Sequence, residues 1–523
     1  MPSDVLLFPP FRLDVQNQEL WNGSQSVALR PKTFAVLVYL ARHAQCLVTK
    51  EELLGNVWAS VSVHSELLRG YIAELRLALA DDARAPRYLA TISRRGYKFL
   101  PRVTFESDVA PRSGEEPAES PASERTPISW RSRVPITVGV LHSLTGMTGG
   151  SETPVVDATL LAIEEINQRG GLGGHPVRAI VVDGESDERV FATSAERLIR
   201  GQEIQTLFGC WTSASRRAVR DVVESHDRLL IYPMQFEGME QSPNIVYTGA
   251  APNQQILPAI RWAFGFLRHR KFFLVGYNSV FSWAVHALMR DEIVALGGEV
   301  VGDEYITGDD ADSARTVRRI QQTRPDLILN SIGGRPGEGY SRALRAAGVT
   351  PRVVPTIYFS LGEIELLKLP RGQSAGDYAA WNYFQSLERP ENQTFISRFH
   401  SRYGSHRVLA DPMEAAYFGV KMWAQAVETA GSQSAPAVRQ AMRVQSFHAP
   451  QGHVHIDPEN QYTWKTMRIG RIGDRGQFEV LWSSERPMRP EPFASSRLPG
   501  SWSDFLDDLH RRWDGRWSGS VAV

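Results

Sequence analysis

A stretch of 29 residues, 105–133, divides this chain of 523. It reads FESDVAPRSGEEPAESPASERTPISWRSR, rich in Pro, Ser and Glu, with almost no large apolar residue before Ile128. Such a composition cannot bury enough surface to offset the entropy of ordering, so it predicts a flexible linker. As a random coil it would span about 30 Å. The chain is therefore expected to hold an N-terminal unit, 1–104, and a separate C-terminal unit, 134–519. The formal net charge is zero, from 58 basic and 58 acidic residues, but it is unevenly placed. Residues 1–104 carry 13 Lys and Arg against 9 Asp and Glu, a net of +4; the linker carries 4 against 6, and the remainder 41 against 43. Only the head is basic. At 42% hydrophobic and 22% charged residues, the flanks read as packed domains. Two cysteines, Cys46 and Cys210, exclude a disulfide framework and any CxxC metal site. No apolar window is long enough to span a bilayer, and Met1–Asp4 opens no secretory signal. The expectation is a cytoplasmic protein without a membrane partner.

In the N-terminal unit, short strand-like runs at Val5–Phe8, Phe11–Val15 and Glu19–Trp21 precede a helix opened by Pro31. Its apolar stripe is Phe34, Leu37, Leu40, Ala41 and Ala44. Thr49-Lys-Glu-Glu52 is a capping box for a second helix reaching Trp58. A third helix, about 63–79, buries Leu68, Ile72, Leu75 and Leu79 and presents Ser65, Arg69, Ala73 and Arg76 on its other face. A hairpin follows, 88–100, with Arg94 and Arg95 at its tip. Any one of these arginines fits a solvated face equally well. Together they fit DNA: a helix enters the major groove, and a protruding Arg pair reaches phosphates or the minor groove.

The segments RPKTFAVLVYLARHAQCLVTKEELLGNVW and LLRGYIAELRLALADDARAPRYLATISRRGYKFL resemble the OmpR/PhoB-type winged-helix DNA-binding domain over residues 4–103. The resemblance implies that helix 63–79 is the recognition helix and Arg94 and Arg95 the wing. Response regulators of this type place a receiver domain before the module, and membrane-bound relatives place a membrane helix after it. Here neither pattern is seen, so control is expected from the C-terminal unit.

That unit alternates β-branched runs with amphipathic stretches: strands at Ile136–Leu141, Val177–Val182, Thr206–Gly209, Leu229–Tyr232, Phe272–Gly276 and Leu327–Ser331, and helices at Val155–Arg169, Ala192–Arg200 and Ser215–Ser225. The pattern predicts parallel sheets with helices on both faces, and ligands at the carboxyl ends of the strands. By residue type alone, Trp211 and Tyr232 also fit core aromatics, and Ser213 a helix N-cap. His453, His455 and Asp457 are a metal set on paper only. No arrangement around Cys210 marks it as an activated nucleophile.

The segments VGVLHSLTG, FGCWTSASRRAV, YPMQFEGMEQSPNIVYTGAAPNQQILPA, AAWNYFQSLERPEN and DPMEAAYFGVKMW resemble the type I periplasmic-binding-protein family, and within it the urea- and short-chain-amide-binding branch, over about 134–517. The resemblance implies two α/β lobes around a cleft: one at 134–252 with 382–440, the other at 253–381 with 441–490. It assigns Ser143, Trp211, Ser213, Tyr232 and Gln235 to the cleft. Ser279 stands where relatives commonly carry a tyrosine, a departure that leaves room for a larger amide.

The fold class expected is thus an N-terminal α+β winged helix-turn-helix followed by a two-lobed α/β binding-protein fold. The function expected is a one-component transcriptional regulator, not an enzyme, with no cofactor or metal. Its expected partners are an operator in double-stranded DNA, a small amide or urea-like ligand and a second copy in a homodimer, with RNA polymerase as a further candidate. Two alternatives remain: a C-terminal unit that chiefly contacts another protein, or one that senses an amino acid. An amide hydrolase is the third class.

Overall fold

The computed structural model describes residues 5–105 except 16–18, 24, 28, 43, 46, 51, 54–64, 83–85, 93–95 and 102, and residues 134–518 except 309 and 371. Contacts divide the chain into Met1–Arg125 and Thr126–Val523. The expected linker lies outside the described residues from 106 onward, and Phe105 belongs instead to a strand.

In the first unit, β1 (Val5–Phe8), β2 (Phe11–Asp14), β3 (Glu19–Asn22) and β4 (Gln25–Val27) form an antiparallel meander. β5 (Leu47–Thr49), β6 (Leu89–Ile92) and β7 (Gly96–Phe99) form a second sheet in the order β5-β7-β6, and β8 (Thr104–Phe105) returns to pair with β1. Helices Pro31–Arg42 and Ser65–Ala78 bury the expected stripes, Phe34, Leu37, Leu40 and Ala41 against Leu68, Ile72, Leu75 and Leu79. Ala44 falls past the first helix and is half-buried. The capping box forms: Thr49 N–H donates to Glu52 Oε2 at 2.7 Å, and Glu52 N–H to Thr49 Oγ1 at 3.1 Å. The rest of that helix, with Trp58, lies outside the described residues. Gly96 is required where β7 meets β5, because a Cβ there would sit 2.0 Å from the Val48 carbonyl oxygen.

The second unit holds two parallel sheets. The first is β9 (Ile136–His142), β10 (Val177–Asp183), β11 (Thr206–Gly209), β12 (Leu229–Tyr232) and β13 (Ile245–Tyr247), in the order β10-β9-β11-β12-β13. The second is β14 (Lys271–Tyr277), β15 (Glu299–Ile306), β16 (Leu327–Asn330), β17 (Thr356–Tyr358) and β18 (Tyr378–Trp381), in the order β15-β14-β16-β17-β18. A small antiparallel sheet follows, β19 (Ser446–Ala449), β20 (Gly452–Ile456) and β21 (Thr463–Trp464). Then β22 (Arg468–Ile472) and β23 (Phe478–Ser483) extend the second sheet in antiparallel fashion.

Three sequence expectations shift, the helix expected from Ala192 already starting at Glu188 behind the Asp187 cap. The first long helix starts at Gly149 rather than Val155, with Pro154 tolerated in its first turns. The return to the second lobe comes with β22, not at 441: Ala441, Met442, Ala449, Val454 and Ile456 share the first lobe's core with helices Gly149–Gln168 and Asp411–Ala430.

The crossing segments are laced by amides. Asn382 Nδ2 donates to the Gln254 and Thr466 carbonyls at 3.1 and 3.2 Å, and Gln255 Nε2 to those of Phe359 and Ala380 at 3.1 and 2.7 Å. Such bonds hold the crossing backbone, whose polar groups would otherwise be buried unpaired.

Candidate functional site

On the N-terminal unit the candidate nucleic-acid face is only partly described. Ser65 and Arg69 lie in the first turns of helix Ser65–Ala78, but their side chains are outside the described residues, as are Arg94 and Arg95. Ala73 is exposed. Arg76 turns onto the hairpin, where its guanidinium donates to the Leu89 carbonyl at 3.0 Å and to Thr91 Oγ1 at 2.8 Å. It thus ties helix Ser65–Ala78 to β6. Replacing Arg76 by Ala should cost about 1 kcal/mol of stability in this unit, read by thermal unfolding; an unchanged transition would remove that role.

On the C-terminal unit a narrow cavity lies between the two lobes, at the carboxyl ends of the strands. Trp211 and Met234 line it from the first lobe and Trp381 from the second, with Met413, Ser151 and Glu365 around them. The lobes touch here. Ser151 Oγ donates to Glu365 Oε1 at 2.9 Å, and Gln235 Nε2 donates to the Phe359 carbonyl at 3.1 Å. One apolar cluster runs from Leu141 and Cys210 to Leu361, Leu366 and Trp381.

Of the six residues expected in the cleft, only Trp211 lines this cavity. Ser143 is buried beside it, with its N–H on Glu152 Oε2 at 2.9 Å and its hydroxyl accepting from Ser186 N–H at 3.0 Å. Gln235 bridges the lobes and keeps its Oε1 without a partner. Tyr232 packs in the core behind the cavity, its hydroxyl on the Trp211 carbonyl at 2.9 Å. Ser213 begins helix Ser213–Ser225, donates its hydroxyl to Glu237 and accepts from Arg216 at 3.2 Å. Its oxygen is therefore committed to a buried ionic network. Ser279 caps helix Val280–Ala295 and pairs with Ser518, so the C-terminal tail rather than the cavity faces it.

That network joins Arg216, Arg217 and Arg220 to Glu237 and Glu240. Arg216 contacts Glu237 at 2.9 Å and Glu240 at 3.0 Å, and all three groups are almost wholly buried. Burial by itself pushes both carboxylates up, but the guanidiniums of Arg216 and Arg217 outweigh it. They hold Glu237 below its ordinary range and bring Glu240 down to about 2.

A Ser-His-Asp arrangement also exists. His286 Nδ1 lies 2.7 Å from Asp303 Oδ1, and its Nε2 3.0 Å from Ser331 Oγ. Ser331 is nonetheless buried against Ser282 Oγ at 3.0 Å, and a Cβ on Gly276 would approach its hydroxyl to 2.8 Å. No face of that hydroxyl is open to a substrate carbonyl, so the arrangement clamps the loops after β14 and β16. Cys210 is buried with φ +66°, and burial pushes its thiol far above the usual range, which leaves it inert.

The signal for the missed cavity residues lay in three segments: Met234 in YPMQFEG, Trp381 in AAWNYF, and Pro412 and Met413 in DPMEAAYF. Glu365 carried none.

Comparison with known proteins agrees with this division. A family model described as periplasmic binding protein domain matches residues 136–499, and one described as transcriptional regulatory protein, C terminal, matches 24–99. Limonene hydroxylase of Geobacillus stearothermophilus is 31% identical over 125 residues, 24% of this chain and 23% of its own. Transcriptional activator CadC of Escherichia coli is 36% identical over 129 residues, again 24% and 23%. The E. coli KDP operon regulatory protein KdpE is 32% identical over 100 residues, 19% of this chain and 44% of its own. The chain thus spans less than half the length of each of these relatives. Among solved structures, a solute-binding protein of an ABC transporter from R. palustris, in complex with 4-hydroxybenzoate, has a TM-score of 0.61 at 19% identity, over 68% of this chain and 98% of its own. A branched-chain amino acid transporter substrate-binding protein from Streptococcus pneumoniae, in complex with isoleucine, also has a TM-score of 0.61, at 18% identity, over 68% and 100%. At these identities the structures show the two-lobed fold.

Proposed function

From its membership of the periplasmic-binding-protein domain family over residues 136–499, with a transcriptional-regulator domain matched at 24–99, we propose that this chain is a one-component transcriptional regulator. The winged helix binds an operator as part of a homodimer in the cytoplasm. The two lobes close on a small amide or urea-like metabolite, and closure alters the spacing of the two DNA-binding heads. RNA polymerase is a candidate contact at the promoter. Among the described residues no helix is long and apolar enough to cross a membrane.

The cavity carries the ligand half of this reading. As the lobes stand it holds only about 10 Å³, room for one water, so a compact solute enters as the lobes part; two tryptophans, two methionines and a few polar groups line the space it would take. Urea or acetamide has four heavy atoms, so affinity is capped near about −6 kcal/mol, or tens of micromolar. A coupling of about 1–3 kcal/mol would still change operator affinity roughly 5–150-fold.

Titrating the full chain with acetamide and with urea, while following tryptophan fluorescence, tests this. Saturable quenching in the micromolar to millimolar range is expected, because Trp211 and Trp381 both line the cavity. A linear, non-saturating response to every amide and urea tried would sink it.

A further inference from the structure

The cavity between the lobes has a single ionisable side chain among its lining residues, Glu365. The residue is only 9% exposed. One oxygen accepts the Ser151 hydroxyl at 2.9 Å, and the other accepts the Gly362 N–H at 3.1 Å. Both partners are donors, and a carboxylate offers about four lone pairs, so each oxygen retains an acceptor site. Trp381 stands close by, its Nε1 lying 4.0 Å from where a Gly362 Cβ would be, with Glu365 Oε2 at 3.6 Å from the same point. No Arg, Lys or His lines the cavity. Lys368 stands near Gly150 at the edge and is paired with Glu338 at 3.4 Å.

We propose that Glu365 fixes the chemical class of the ligand: a compact N–H donor such as an amide, urea or amidine, and not a carboxylate. The inference rests on the cleft being the sensing site. A carboxylate ligand drawn into this space would be desolvated without a counter-charge and would face a second carboxyl group. An N–H donor meets the opposite situation. Its hydrogens find the free lone pairs of Glu365, and a cationic donor also gains from the nearby aromatic rings of Trp211 and Trp381. The short helix Glu363–Leu366 fixes the geometry, because Glu365 bonds back to Gly362 N–H at the start of that turn. The same residue therefore has a local structural role, which the experiment must separate from ligand selection.

Acetamide, acetamidinium and acetate are nearly the same size and differ in charge and donors. Tryptophan-fluorescence titrations of the full chain should show acetamide and acetamidinium binding at least tenfold more tightly than acetate. In Glu365→Gln, acetamidinium should weaken tenfold or more, and acetate should come within about threefold of acetamide. Glu365→Asp keeps the charge and should keep the rejection of acetate. A merely structural role would weaken all three probes by one common factor and leave the ratios unchanged; that result overturns the assignment. Acetate binding as tightly as acetamide to the unmodified protein overturns it as well, while leaving the cleft as a sensing site. Silence from all three probes overturns the amide reading itself, and this assignment with it.

Discussion

Replacing Arg216 by Met should cost the C-terminal unit about 3–5 kcal/mol, because it leaves Glu237 and part of Glu240 buried without their principal counter-charge. Arg216 is fully buried, donates to both glutamates and holds the Ser213 hydroxyl. Its guanidinium also lies over the rings of Tyr232 and Phe236, 5.2 and 4.5 Å from their centroids. Thermal unfolding of the full chain should show the C-terminal transition lowered by roughly 4–6 °C. The double replacement of Arg216 and Glu237 by Met should recover part of that loss, since Glu237 is then no longer left facing a vacant partner, while Glu240 and Arg217 each still lose one contact. If the single variant unfolded within about 1 kcal/mol of the parent, the network would contribute little to the fold.

The second large effect is on pH. Glu363 is buried, and burial pushes its carboxyl up to about 8. One oxygen accepts Gln385 N–H at 2.7 Å, while the other has no partner. Glu414 is likewise pushed up by burial, to about 7. An acid whose folded pKa exceeds its unfolded value holds its proton more tightly in the fold. Its contribution is fully present below the ordinary carboxylate range, about 4.5, and is lost as pH rises through 7 to 8. Asp377, pushed up by burial to about 7, acts with them; the imidazoles of His269, His453 and His455, held low by burial, act oppositely at the acid side of this window, and Glu240 only near pH 2. The melting temperature of the C-terminal unit should therefore decline between about pH 5 and pH 8.5. Glu363→Gln should flatten that decline, gaining on the order of 3 kcal/mol at the alkaline end and little at the acid end. Parallel curves for the two proteins would contradict the assignment.

Much of the fold is legible in the sequence because strands buried on both faces read as continuous apolar runs. Thr206–Gly209 and Leu229–Tyr232 fall where those runs place them. The start of helix Gly149–Gln168 is not, since Gly149, Gly150 and Pro154 are poor helix signals and only packing fixes them. The site is harder for a related reason. Trp211 and Tyr232 both stand at strand ends, yet one faces the cavity and the other the core, and only the tertiary packing separates them. Ser213 carries the right hydroxyl, but its partner Glu237 is 24 residues away and takes the bond a ligand would need. Glu365 reaches Ser151 across 214 residues, a juxtaposition no local pattern encodes.

The most direct test of the account is operator affinity measured on the full chain by fluorescence anisotropy, using DNA obtained by selection with the same protein, with and without saturating acetamide. The account predicts a shift of at least fivefold. An affinity that does not move with acetamide, in a protein shown to bind it, would contradict the link between cleft and winged helix.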